Sequence, residues 1–120
     1  MNDTTTDPRR KAFDLAAAGI AAGLPVPLYV RVAAHDGPLP AGLTLQCGDD
    51  DTDTVDRWAA WLGLPRPALV DRPLDGSGGR WFQPYQSAGW NHPVTGGHTR
   101  VVSYCDVPAP ADAERPAVTR

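Results

Sequence analysis

Apolar residues recur at two spacings along this chain, and both changes from helical to alternating spacing come at a similar five-residue phrase. Phe13, Ala16, Ala17, Ile20 and Leu24 fall at helical intervals, which predicts a helix with one narrow apolar stripe. Asp7-Pro8 is a fitting opening for it. Aspartate caps free backbone N–H groups, and proline at the first helical position lacks an N–H that would have no partner there. The stripe ends at G-L-P-V-P, residues 23 to 27. Beyond it Leu28, Val30 and Val32 alternate with Tyr29, Arg31 and Ala33, the period of a half-buried strand. His35-Asp36-Gly37-Pro38 then predicts a turn. Leu43, Leu45 and Cys47 alternate with Thr44 and Gln46, which completes a hairpin.

The same grammar follows a second time. Val55, Trp58, Ala59 and Leu62 form another helical stripe, closed by G-L-P-R-P at 63 to 67. Glycine supplies the left-handed backbone that ends helices, and proline beyond it forbids continuation and favours extended chain. A strand is expected near 67–73, then the loop D-G-S-G-G and a long strand from Arg80 to about Trp90. The turn N-H-P-V-T-G-G leads into a last strand, His98 to Val107. The predicted order is α-β-β-α-β-β-β, and the recurring helix, G-L-P-x-P, strand unit implies a pseudo-repeat. Hairpin-length connections and two single helices predict a two-layer α+β domain, an antiparallel sheet with both helices on one face. Phe13, Ile20, Trp58 and Leu62 are expected to pack towards Leu28, Val30 and Leu45. The expected domain spans 7–107. Residues 1–6 and the Pro/Ala-rich tail 108–120 are expected to be disordered.

Composition adds little to that architecture but narrows the chemistry. At 120 residues one domain is expected, and 42% apolar with 21% charged residues is ordinary for a globular chain. A net charge of −3 argues against binding along a phosphate backbone, which favours a basic face. The polar start MNDTTTDPRRK does not read as a signal peptide, and no apolar run approaches the ~18 residues of a membrane span. Cytoplasmic residence without membrane contact is therefore expected, and there Cys47 and Cys105 would stay reduced.

Candidate sites are few. The run G-D-D-D-T-D-T-V-D carries five aspartates at 49–56. As a calcium loop starting at Asp49 it has Thr54 where the sharp turn needs glycine and Ala60 where a bidentate glutamate must close the site. Helix capping by Asp53, with Asp56 three residues on, is the better account. Cys47, His92, His98 and Cys105 lack the paired spacings of structural zinc modules. D-G-S-G-G-R at 75–80 lacks the Gly-Lys-Ser/Thr ending of a phosphate loop and is read as a hairpin connection. No serine stands in a G-x-S-x-G context. No cofactor, metal or catalytic residue is assigned.

One pattern remains. With Leu28, Val30 and Val32 facing the helices, Tyr29 and Arg31 face the other way. A matching choice of parity on the later strands adds Trp81 and Tyr85, then Arg100 and Tyr104. These six are the candidate binding residues, because Tyr, Trp and Arg are enriched at binding hot spots.

The succession of an Ala-rich amphipathic helix, LPVPLYVRV, VDRWAAWLGL, GGRWFQ, GW and VVSYCDVP resembles small uncharacterised actinobacterial proteins encoded on chromosomes and on phages or integrative elements. The resemblance spans most of residues 12–108 and brings no established activity. The functional expectation is a non-enzymatic protein-interaction module, in the resemblance's terms a phage- or mobile-element-associated regulator or inhibitor. It would meet a protein partner, or a second copy, through the open sheet face. The alternative is a single-stranded nucleic-acid-binding protein that stacks bases on exposed aromatics, although the composition supplies no basic surround. A small metal-dependent protein stands behind both.

Overall fold

The structure is a computed structural model that describes residues 8–33 and 42–109. The expected cap Asp7, the turn at 35–38 and all but two residues of the segments expected to be disordered lie outside the described residues. Helix α1 runs Pro8–Ala21, β1 Tyr29–Ala33, β2 Gly42–Gln46 and α2 Thr52–Leu62. Two short strands follow, β3 Ala68–Leu69 and β4 Leu74–Asp75. A 3-10 turn at Ser77–Gly79 leads to β5 Trp81–Gly89, and β6 is His98–Val107. The fold is α+β, with both helices contributing to one core on one side of a single six-stranded sheet. D-G-S-G-G is the expected hairpin connection, joining β4 to β5 with Leu74 opposite Phe82.

Both helices end in the same way. The Gly23 N–H bonds Ile20 O and the Leu24 N–H reaches Gly19 O; one phrase later Gly63 bonds Ala60 O and Leu64 bonds Ala59 O. Gly23 and Gly63 both have positive φ, 102° and 73°, a conformation that suits glycine and closes this paired-bond cap. Each phrase then offers its first proline carbonyl to a side chain. Trp58 Nε1 donates to Pro25 O at 2.8 Å, and Ser87 Oγ donates to Pro65 O. The strands that follow, β1 and β3, lie at opposite ends of the sheet order β1-β2-β6-β5-β3.

The likeness stops there. β1–β2 and β5–β6 are antiparallel, as expected, but β2 and β6 are parallel, with Leu43 opposite Thr99 and Leu45 opposite Val101. The expected fully antiparallel sheet is corrected at this pair. A two-fold axis normal to the sheet would make the central strands antiparallel. An axis along the strands would put the helices on opposite faces. With parallel central strands and both helices on one face, no two-fold relates the halves, so the repeat is confined to the helix ends. Alternation within a hairpin fixes direction only inside that hairpin. The long connection between β2 and β6, carrying α2, leaves room for a parallel pair.

The core centres on Leu43, Leu45, Val55, Trp58 and Val101, all fully buried. Helix α1 meets it with Ala12, Ala16 and Gly19 rather than with its largest residue. Phe13, expected in the core, is 56% exposed. The reason is close approach: a Cβ on Gly19 would lie 2.4 Å from the Trp58 ring, so the helix turns its small residues inward. Leu28, also expected inside, is 59% exposed. It shares the parity of Val30 but stands one residue before β1 on a strand at the end of the sheet order, which leaves it open to solvent. Ile20 is half-buried against the core, and Leu62 is buried.

Two substitutions test this packing. Trp58→Ala is expected to cost about 3–5 kcal/mol in denaturant unfolding. Gly19→Ala gains roughly 1 kcal/mol of helix propensity, yet the added methyl forces a shift that overpacked cores resist by about 1–3 kcal/mol. A net loss of stability is expected, shrinking when Gly19→Ala is combined with Trp58→Phe. Equal effects in both backgrounds would mean that the two residues do not touch.

Candidate functional site

The strand register settles which candidate residues share a face. In β1, Val30 and Val32 stand opposite Leu45 and Leu43 on the covered side, so Tyr29 and Arg31 point to the open side with Gln46 and Thr44 opposite them. In β6, Arg100, Val102 and Tyr104 occupy the same open side, because Arg100 and Val102 pair with Thr44 and Gln46. Tyr29, Arg31, Arg100 and Tyr104 are thereby brought together. They line one open concavity of about 560 Å³ with Thr44 and Gln46, and it reaches the β1 edge and Phe13 of α1.

The side chains around it differ in exposure. Val102 is fully buried between its neighbours even on the open side. Arg100 is oriented by a 2.8 Å bond from its Nε to Gln86 Oε1 on the adjacent strand. Tyr29, by contrast, is 61% exposed, and Arg31 is exposed too. Two phenols and two guanidinium groups around Thr44 and Gln46 can receive aromatic or aliphatic side chains beside a carboxylate or carbonyl oxygen.

Trp81 and Tyr85 do not join them, which corrects the parity expected for β5. Gln83 pairs with Cys105, Tyr85 with Ser103 and Ser87 with Val101, so Trp81, Gln83, Tyr85 and Ser87 lie on the helix side. This row reads as polar, but α2 and the second proline phrase give it partners. Tyr85 Oη donates to Asp56 at 2.5 Å, Ser87 to Pro65 O, and Gln83 Nε2 to Val70 O. The bond to Asp56, and then burial, raise the Tyr85 phenol above its ordinary pKa of 10.0. Phe82 and Pro84 take the open side instead. The residues that sequence reasoning missed are Gln46, Thr44 and Phe13. The polar alternation in β2 carries the first two, whereas the helical stripe of α1 points to Phe13 as a core residue.

The other candidate side chains are occupied structurally. Asp51, not Asp53, caps α2: the helix starts at Thr52, and Asp51 Oδ1 accepts from the Thr54 N–H at 3.2 Å. Asp53 instead faces Arg57 at 3.8 Å, both exposed. Asp50 Oδ1 accepts from the Asp106 N–H. The Asp51 N–H donates to Ser103 Oγ at 2.9 Å, and that hydroxyl donates on to Gly48 O. His92 is buried. Its Nδ1 accepts from the Val94 N–H at 3.1 Å, and its Nε2 lies 2.8 Å from Leu62 O. The acceptor role of Nδ1 leaves Nε2 as the donor of a neutral ring. His98 stacks on Trp90, ring centres 4.4 Å apart. Among the described residues no three His, Cys, Asp or Glu side chains gather as a metal-holding group, and no helix is long and apolar enough to cross a membrane.

With this geometry in hand, comparison with known proteins returned no match to a family model, to a curated protein or to a solved structure.

Both cysteines are free thiols, Cys47 buried and Cys105 half-buried. Burial, reinforced by Asp51, pushes the Cys47 thiol from 9.0 up to about 12; burial also raises Cys105. Since the thiolate is the nucleophile, native protein at pH 8 is expected to react with an aromatic disulfide reagent slowly at Cys105. Cys47 should react only on unfolding. The folded Cys47 thiol holds its proton more tightly than the unfolded one. Its contribution to stability is therefore full below about pH 9 and lost as pH rises from 9 towards 12. A Cys47→Ala variant should show a shallower decline over that window. Fast labelling of Cys47 in the native state would contradict its placement under α2.

Proposed function

We propose that this chain is a non-enzymatic protein-interaction module that receives a partner on the open face of its sheet. The observation carrying this reading is the convergence of Tyr29, Arg31, Arg100 and Tyr104 on one concavity of about 560 Å³. Aromatic rings bury large areas at small conformational cost, and planar guanidinium groups orient carboxylate or carbonyl oxygens. The fitting partner segment therefore carries apolar side chains next to an acidic or carbonyl-rich stretch. The residue types that most often do catalysis have structural work here: His92 and Ser103 are held by backbone groups, and Cys47 is buried. The sequence resemblance favours a regulator or inhibitor of actinobacterial or phage origin acting in the cytoplasm.

The nucleic-acid reading keeps Tyr29 and Tyr104 as stacking surfaces. It loses Trp81 and Tyr85 from that face, and the net charge of −3 gives it no electrostatic support. Capture from a lysate of the native cells, with partners identified by mass spectrometry, tests the proposal. Tyr29→Ala combined with Tyr104→Ala is expected to weaken capture of the specific partner roughly a hundredfold or more, as for two hot-spot residues. Trp81→Ala should capture normally, and both variants should melt cooperatively. Capture unchanged by the double substitution would refute the site. Retention on single-stranded oligonucleotide that fades with salt would favour the alternative.

A further inference from the structure

We propose that two copies of this chain pair through β1, antiparallel and centred on Val30, so that their sheets continue as one. The two ends of the sheet are built differently. At one end β3 and β4 have two residues each and share the outer edge of β5. Pro65, Pro67 and Pro73 flank them, the kind of interruption that keeps an edge from templating another strand. At the other end β1 has five residues, Y-V-R-V-A, without proline, glycine or lysine. Among the described strands it pairs only with β2. Leu28 just before it and Tyr29 and Val30 at its start are 59%, 61% and 38% exposed, a run of apolar surface along an edge that has no outer neighbour among the described strands.

Symmetry then selects the partner and the register. A two-fold axis normal to the sheet keeps the helices of both copies on one side, and it sets each residue opposite one of the same parity. Centring on Arg31 would oppose two guanidinium groups, which is unfavourable. Centring on Tyr29 would place Pro27, which has no N–H, in the ladder. Centring on Val30 sets Val30 against itself and Leu28 against Val32 on the covered side. On the open side it sets Tyr29 against Arg31 twice, a cross-strand pair of ring and cation. The segment is self-complementary at that centre, which points to a second copy as occupant and makes the contact isologous and closed. The two concavities would then flank the axis on one continuous face. The inference itself rests on the edge and does not need the proposed partner site.

Light-scattering mass of the full chain across the micromolar range tests it. Wild type is expected at twice the chain mass. Val30→Lys, which opposes two ammonium groups at the axis, is expected at the single-chain mass with unchanged circular dichroism. Arg100→Ala with Tyr104→Ala should stay dimeric while losing the partner, so the two proposals fail separately. In a Cys105→Ser background, Val30→Cys should oxidise to a covalent dimer and Arg31→Cys should not. That arm decides the matter if Val30→Lys fails to fold. Single-chain mass for wild type throughout would overturn the proposal. So would a folded Val30→Lys dimer, or crosslinking through position 31 instead of 30.

Discussion

The placement of the Trp58 indole is the constraint from which the rest of this fold follows. A buried indole must find an acceptor for its N–H, and here the acceptor is Pro25 O in the first G-L-P-V-P phrase. The ring also needs a neighbour with no side chain, and Gly19 supplies one. The end of α1, the chain leaving it and the middle of α2 are thus tied to one group, with Trp61 edge-on at 5.8 Å. From that tie comes the rotation of α1, which turns Ala12 and Ala16 inward and leaves Phe13 beside the open edge.

The second proline phrase is anchored by a different chemistry. No large ring reaches Pro65 O; the hydroxyl of Ser87 does, while Gln83 meets Val70 O and Tyr85 meets Asp56. A row of polar side chains is therefore satisfied beneath α2 and the segment that follows it, where apolar residues would be the usual occupants. Buried polar groups are tolerated when every member has a partner. That condition determines which side of β5 faces in, and so which aromatics remain for the open side.

Much of this architecture is legible in the residue pattern. The two helical stripes, the alternation in β1 and β2, the span of β6 and the capping role of each G-L-P-x-P all depend on local periodicity or on the fixed geometry of Gly and Pro. Four of the six proposed site residues could be grouped for the same reason, since Tyr29 and Arg31 oppose clear apolar alternation. W-F-Q-P-Y-Q-S-A-G has no such alternation. Its inward row is polar because of partners 13 to 29 residues away in sequence, and composition within the strand carries no trace of them. The cap of α2 is Asp51 rather than the expected Asp53, because several aspartates in succession are chemically equivalent candidates. The direction in which the two hairpins meet depends on contacts between them, about which the alternation within either hairpin says nothing.

The parallel pairing of β2 with β6 has a consequence for how the molecule is made. Gly42 stands opposite His98 and Gln46 opposite Val102, so the inner side of β2 cannot be satisfied until more than fifty further residues have been synthesised. Until then the α1–β1–β2 unit carries two open edges rather than one, and Leu43 and Leu45 lack both Trp58 and Val101. A nascent chain at that stage is a sticky hairpin, exposed for as long as the ribosome takes to complete the second half. The acidic stretch directly after β2, with Asp49, Asp50, Asp51 and Asp53, then sits beside the unpaired strand as a charged gatekeeper. Like charges brought together by two such chains oppose their association.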